Sequence, residues 1–295
     1  HLWYRRQRQM CIRDSQRSPT YFVSAPDEDY LANNLRRFIP DRLAYFLIRI
    51  RNISWQRFFF KRARAYPEQV KERILNMVKE ELPEDIVNEH FTPSYNPWDQ
   101  RICLIPNSDF FESIKAKTSS VVTDHIEKFE EKGIRLKSGK FLPADLIVTA
   151  TGLILESFGG VKMSVDDKPI EASDTYTYRS LMYSGIPNLV SCFGYINASW
   201  TLKADLTSEY VCRLIKHMKK NDFEVVCPKF EVDIEESDDF LNGFSSGYIK
   251  RAADAQPKQG KEKPWINLQD YFKDWIDIKY KKLDDGYLNF SKLEK

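Results

Sequence analysis

Four short stretches carry residue types that could do chemistry. In LIVTATGL, residues 146–153, a small-residue turn (Thr149, Ala150, Thr151, Gly152) follows an apolar run. Such a turn lets a ligand or a second segment approach the peptide plane where a larger side chain would block it. A simple strand-ending turn accounts for it equally well. In FGYINASW, residues 193–200, Gly194 closes a second apolar run, and Asn197 or Ser199 can cap the helix that follows, ahead of Trp200. Residues 90–105 are rich in Pro, Asn and aromatics and hold Trp98, Asp99 and Arg101. That composition predicts an ordered loop of the kind that often serves a site, although Trp98 as ordinary packing is at least as good a reading. Arg17 and Ser18 stand before Pro19; on residue type alone this arginine is a surface charge.

Other chemistries find no support. His90, His125 and His217 show no metal-ligand spacing, and no GxSxG nucleophile motif occurs. Lys203 and Asp205 could form a local ion pair, worth little if exposed. All 11 glycines lie at or after Gly133, and there is no GxGxxG. A dinucleotide fold needs glycines in its first strand-to-helix turn, where the backbone meets the pyrophosphate, so any such turn is expected upstream of this sequence.

The elements that must position these residues follow an α/β pattern. Residues 16–24 (QRSPTYFVS) read as a strand running into a Pro-containing turn. From about residue 27 to 82 the pattern is helical. Leu43, Phe46, Leu47, Ile50 and Ile53 recur at three- and four-residue spacing, as do Val70, Ile74, Met77 and Val78, with Pro40 and Pro67 separating the helices. A short strand is expected at 102–105, another beginning at 121–123, and a hairpin over 134–142 turning at Ser138-Gly139. The apolar runs 145–150 (DLIVTA) and 188–193 (NLVSCF) read as strands buried on both faces. A helix is expected from about 203 to 218, with Leu206, Tyr210, Val211, Leu214 and Met218 inward. Residues 227–295 show little periodicity and read as an extension wrapped on the main body.

Composition bounds the rest. The 295 residues are 42% hydrophobic and 14% aromatic, too apolar for a disordered chain. Lys plus Arg is 45 and Asp plus Glu 43, a net charge of +2 without a long like-charge block, so nucleic acid is not an expected partner. Five scattered cysteines form no CxxC pair, which indicates neither a disulfide framework nor zinc and fits a reducing cytoplasm. The apolar stretch 43–60 is interrupted by Arg49, Arg51 and Arg57 and cannot span a bilayer. It could lie on a membrane surface, although packing against its own domain is the favoured reading. Residues 1–15 show no periodicity and no signal-peptide core. The string QMCIRDS, residues 9–15, resembles sequencing-adapter read-through, so this segment is expected to be non-native.

The stretches 16–29 (QRSPTYFVSAPDED), 90–111 (HFTPSYNPWDQRICLIPNSDFF), 145–153 (DLIVTATGL), 193–214 (FGYINASWTLKADLTSEYVCRL) and 257–260 (PKQG) resemble the C-terminal half of the ethionamide-activating enzymes within the flavin-containing and Baeyer–Villiger monooxygenase group. The likeness runs in order from residue 16 to about 290. It implies remnants of two nested Rossmann-like domains for FAD and NADPH. Residues 16–150 would be the C-terminal part of the NADPH domain, with a helical insertion at about 27–90. Residues 151–226 would be the C-terminal part of the FAD domain, and 227–295 a C-terminal extension.

The resemblance also implies roles. Arg17 and Ser18 would end the second strand of the NADPH domain and grip the ribose 2′-phosphate. Thr149, Thr151 and Gly152 would mark the crossing back to the FAD domain. Gly194, Asn197, Ser199 and Trp200 would bring a helix start to the flavin. Trp98 and Arg101 would line the active-site approach. The implied activity is NADPH-driven reduction of FAD, trapping of O₂ as a flavin peroxide, and oxygen insertion beside a ketone or onto a sulfur. Three segments of the family pattern are absent from this sequence: the amino-terminal FAD fingerprint, the HxxxW signature and the NADPH glycine turn. This chain is therefore expected to be inactive alone. Two alternatives stand beside that reading. One is an N- or S-oxygenating monooxygenase without carbonyl activity; the other is a non-catalytic nucleotide- or partner-binding protein.

Overall fold

The computed structural model describes residues 12–229, 235–237 and 245–293. The chain divides into two units. The first comprises His1–Asn52 and Phe58–Thr151, and the second Ile53–Arg57 and Gly152–Lys295.

The first unit begins with strand β1 (Ile12–Gln16), then β2 (Phe22–Ala25) and four helices: α1 (Tyr30–Leu35), α2 (Asp41–Ala65), α3 (Pro67–Lys79) and α4 (Glu84–His90). Residues 53–57 of α2 count with the second unit. Next come β3 (Cys103–Pro106), α5 (Asp109–Lys115), β4 (Ser119–Thr123), β5 (Ile126–Glu130), β6 (Gly133–Leu136) and β7 (Phe141–Pro143). Two parallel pairs result, β1 with β4 and β2 with β3, beside the antiparallel order β5-β6-β7. Parallel partners require crossovers, and between β2 and β3 the crossover is the helical stretch read from the sequence. Asp29 caps α1 by accepting from the Ala32 N–H, Pro40 precedes α2, and Pro67 opens α3 where its missing N–H costs nothing. The inner face of α3, Val70, Ile74 and Val78, is buried at four-residue spacing. It divides between two clusters, one with Tyr21 and Ala63 and one with Val87, Phe91, Ile105 and Phe111.

Residues 12–15, read as patternless, instead form most of β1, with Ile12 opposite Ser119 and Gln16 opposite Thr123. Ile12 is exposed, so the strand is held by ladder hydrogen bonds rather than by an apolar face, and periodicity could not reveal it. Residues 1–11, the rest of that non-native expectation, lie outside the described residues. The Pro19 turn separates two strands rather than ending one.

The second unit contains the hairpin of β8 (Met163–Val165) and β9 (Lys168–Ile170), the pair β10 (Thr177–Tyr178) and β11 (Met182–Tyr183), and the 22-residue helix α6 (Trp200–Asn221). Strand β12 (Val225–Pro228), helices α7 (Gly247–Ala252) and α8 (Tyr271–Tyr280), and strand β13 (Leu288–Ser291) follow, with β12 and β13 antiparallel. Leu206, Tyr210 and Leu214 of α6 pack with Tyr178, Met182, Trp265 and Ile278 in the main core. Residues 258–291 thus build core and are more regular than their sequence suggests.

A polar network runs through this core. Arg179, at φ +51°, donates to the Asp277 carboxylate (2.9 Å), the Asp277 carbonyl (2.7 Å), Asp285 (2.8 Å) and the Tyr178 hydroxyl (2.9 Å). Burial alone would depress the Arg179 pKa, but Tyr178 and the carboxylates more than offset it, so the cation is held. Lys203 is buried and pairs with Asp274 at 2.8 Å, not with Asp205. The local pair with Asp205 is the expectation from spacing; the partner that the structure gives Lys203 lies 71 residues away.

Both runs read as two-sided strands differ in the structure. Residues 145–150 form no strand, and Leu146 and Val148 are 82% and 81% exposed. Residues 188–193 are turn and coil. Asn188, at φ +56°, accepts from the Val226 N–H (2.9 Å) and donates to the Glu224 carbonyl (3.1 Å), which turns the chain away from a ladder. A strand covered on both faces needs strands on its flanks, and no described strand forms a ladder with either run.

Candidate cofactor-binding sites

The sequence-derived residues fall into two groups, one in each unit. In the first unit, Arg17 and Ser18 form an exposed bend immediately after β1, at the carboxyl end of the parallel β1–β4 pair. In α/β sheets ligands collect at that end of the strands. Arg17 has no ion-pair partner among the described residues, so its guanidinium is available to an anion. The bend is anchored from below. The Gln16 side-chain amide donates to the His90 carbonyl (2.6 Å) and to the Thr123 hydroxyl (2.9 Å), which also meets His90 Nδ1 (2.8 Å). The Asp124 N–H adds a bond to the Gln16 carbonyl (2.9 Å). Gln16, His90 and Thr123 therefore tie the ends of β1, α4 and β4 together beneath Arg17. Their spacing carried no signal, because the three converge only through the crossover.

In the loop before β3, Trp98 adopts φ +71° and packs edge-on to Phe60 (5.5 Å between ring centroids), against the cluster of Tyr21, Ala63, Val70 and Ile74. Its indole N–H is buried without a hydrogen-bond partner. Asp99 accepts from Arg64 (2.6 Å) and from the Asn96 N–H, which fixes the loop. Arg101 is exposed. Thr149 and Thr151 are exposed on the extended segment after β7.

In the second unit, Gly152 has φ +121°, a conformation that L side chains rarely adopt, and a Cβ added there would meet only Arg251, at 3.7 Å. The backbone can therefore be approached closely. Gly194 serves a different need. A Cβ there would lie 2.2 Å from the Trp200 ring, so this glycine gives the indole room at the first residue of α6. Asn197 donates to the Gln269 carbonyl (2.9 Å), and the Gln269 side chain accepts from the Ile196 N–H (2.8 Å), stitching the segment before α6 to the segment before α8. Ser199 occupies the N-cap position but makes no capping bond; its hydroxyl meets Thr201 Oγ1 (2.8 Å) instead. The amino end of a long helix is thus left with its N–H groups and positive dipole uncapped by a side chain, which suits an electron-rich group. The unit also has a pocket of about 50 Å³ lined by Thr177, Ser180, Tyr183, Phe193, Gln256 and Gln259, at the PKQG stretch.

These residues fit dinucleotide groups: a free arginine at strand ends, a backbone open to close approach, and an uncapped helix start. No set of His, Cys, Asp or Glu side chains suited to a metal occurs among the described residues. No helix among them is long and apolar enough to cross a membrane.

No protein-family model matches the chain. It is 45% identical over 277 residues to the probable FAD-binding monooxygenase AlmA of an Acinetobacter species, covering 94% of this chain and 56% of that protein. It is 46% identical over 279 residues to the FAD-containing monooxygenase EthA of Mycobacterium tuberculosis, covering 94% and 57%. The putative FAD-containing monooxygenase MymA of the same species is 41% identical over 276 residues. The chain spans a little over half the length of these curated relatives. Among solved structures, an oxidized steroid monooxygenase bound to NADP superposes with a TM-score of 0.64 at 14% identity, covering 95% of this chain and 62% of that one. OTEMO in complex with FAD and NADP gives 0.62 at 15% identity, with the same coverage. At such identities the likeness is one of fold.

Proposed function

We propose that this chain, a homologue of FAD-containing monooxygenases over 94% of its length, is part of an FAD- and NADPH-dependent monooxygenase that oxygenates ketones or thioethers. The observation that carries the reading is Arg17 with Ser18, exposed and unpaired among the described residues at the carboxyl end of the β1–β4 pair. A planar guanidinium there suits a ribose 2′-phosphate, which it can bind with two charge-assisted hydrogen bonds. Gln16, His90 and Thr123 hold the backbone of the bend, so that only the Arg17 side chain has to be ordered on binding. Gly152 allows close approach of a ligand to the main chain, and the α6 start offers N–H groups to an electron-rich ring edge. The flavin, when bound, supplies the oxygen chemistry; the protein orients the groups and excludes water.

The test is calorimetric binding of adenosine 2′,5′-bisphosphate and of 5′-AMP to the wild-type chain and to Arg17→Ala. A charge-assisted pair at an exposed site is worth about 1.5 kcal/mol, so the bisphosphate should bind roughly ten-fold more weakly to the variant while 5′-AMP is unaffected. Equal losses for both ligands, or no loss, would refute the assignment of Arg17. For the oxygenation itself, NADPH consumption by the parent enzyme that yields only hydrogen peroxide, with no oxygenated ketone or thioether, would overturn the proposal.

A further inference from the structure

The helical stretch of the first unit bears a surface that the cofactor sites do not use. Leu43, Phe46, Leu47 and Ile50 of α2 recur at i, i+3, i+4 and i+7, the spacing of one helix face, and all four are exposed. Phe38, in the turn leading into α2, is 83% exposed. At 100° per residue, Arg42 and Arg49 flank the stripe on one side and Arg51, which is paired with Asp29, on the other. Residues 30–65 hold nine Lys or Arg and a single acid, Asp41, in a chain whose net charge is only +2. The remainder of the chain is accordingly net negative, and the excess of basic residues falls in α2 and the turn before it, with Arg51, Arg57 and Arg64 paired to Asp29, Asp270 and Asp99.

We infer that this face of α2, with the turn at Phe38, docks on an anionic lipid surface. Each component of the arrangement matches that partner. The aliphatic and aromatic side chains can enter the acyl boundary, Arg42 on one flank and Arg36 in the preceding turn can extend to phosphate headgroups, and an aromatic at a turn is a usual interfacial anchor. Self-association across this face would bring the arginines of two copies together, and covering it with folded protein would enclose them. Nucleic acid would use the arginines but leave the Leu43, Phe46, Leu47, Ile50 stripe in water. α2 is too polar to span the bilayer, so the contact lies in the interface plane.

The experiment is flotation of the full chain with vesicles of phosphatidylglycerol in phosphatidylcholine and with vesicles of phosphatidylcholine alone, at low and high salt. Binding is expected only to the anionic vesicles and should weaken with salt. Arg36 and Arg42, which have no partner among the described residues, supply the first variant. Replacing both with Ala should weaken partitioning by about twenty-five-fold, roughly five-fold per charge. Phe46→Ser with Leu47→Ser should abolish flotation while far-UV circular dichroism stays unchanged, since both side chains are already exposed. Three results would overturn the proposal: no flotation with anionic vesicles; a dimer in light scattering that the Phe46/Leu47 variant dissolves, which assigns the face to a second copy; or RNA binding lost with the arginines but indifferent to Phe46 and Leu47.

Discussion

The pair formed by Lys203 and Asp274 permits a quantitative test of how the second unit is held together. Lys203 on α6 and Asp274 on α8 have side chains only 2% and 13% exposed, 2.8 Å apart. Asp274 also accepts from the Tyr195 hydroxyl at 2.8 Å, and Lys203 donates to the Arg179 carbonyl at 3.3 Å. Asp274→Asn keeps an oxygen for Tyr195 and removes only the charge, leaving Lys203 enclosed without a counter-ion. Breaking a buried pair from one side costs about 3–5 kcal/mol, roughly a fifth or more of the total stability of an ordinary domain. Lys203→Met should cost less, about 2–3 kcal/mol, because Asp274 keeps Tyr195 and some solvent. The double variant should cost only about 1–2 kcal/mol, since two uncharged side chains of similar length then fill the site. Urea unfolding followed by tryptophan fluorescence reads this directly, because Trp265 and Trp275 belong to the same core. A cost below about 1 kcal/mol for Asp274→Asn, or single costs that simply add in the double variant, would refute the argument.

Gly194→Ala should strain the Gly194–Trp200 contact by about 1–3 kcal/mol, because the new methyl must displace the indole; Trp200→Ala in the same chain should restore most of the loss in thermal unfolding, and failure to do so would place the clash elsewhere. Burial and then the neighbouring Glu236 push the Tyr176 hydroxyl up to about 12. A proton held more tightly in the folded state than in the unfolded one stabilises the fold below pH 10, the ordinary tyrosine value, and that contribution fades as pH rises towards 12. Tyr176→Phe should therefore flatten the alkaline fall in stability over that window, and an unchanged slope would contradict the assignment.

What the sequence made legible is what short-range physics determines. Pro40 and Pro67 punctuate the helices as expected, the Ser138-Gly139 turn joins β6 to β7, and the inner face of α6 is the one its spacing indicates. Features that depend on distant partners stayed hidden. Residues 12–15 become a strand because β4 lies beside them, and residues 145–150 do not because no described strand does. The burial of Lys203 is decided by Asp274, and the support beneath Arg17 by His90 and Thr123, all remote in sequence. As candidates, Arg17, Gly152 and the α6 start are singled out through resemblance and residue type. That Gly194 serves the Trp200 ring could be seen only once the turn was built.

The extended segment after β7 has a practical consequence. Residues 146–155 carry no charge and no proline, and Leu146, Val148, Leu153 and Ile154 face solvent with their backbone outside any sheet. A stretch of this kind is a template on which identical chains can stack in register, each satisfying the hydrogen-bonding groups of the next. Solutions of the chain should lose clarity with concentration and time, with cross-β growth seeded at this one segment, and a single gatekeeping charge at Val148 should be enough to keep them clear.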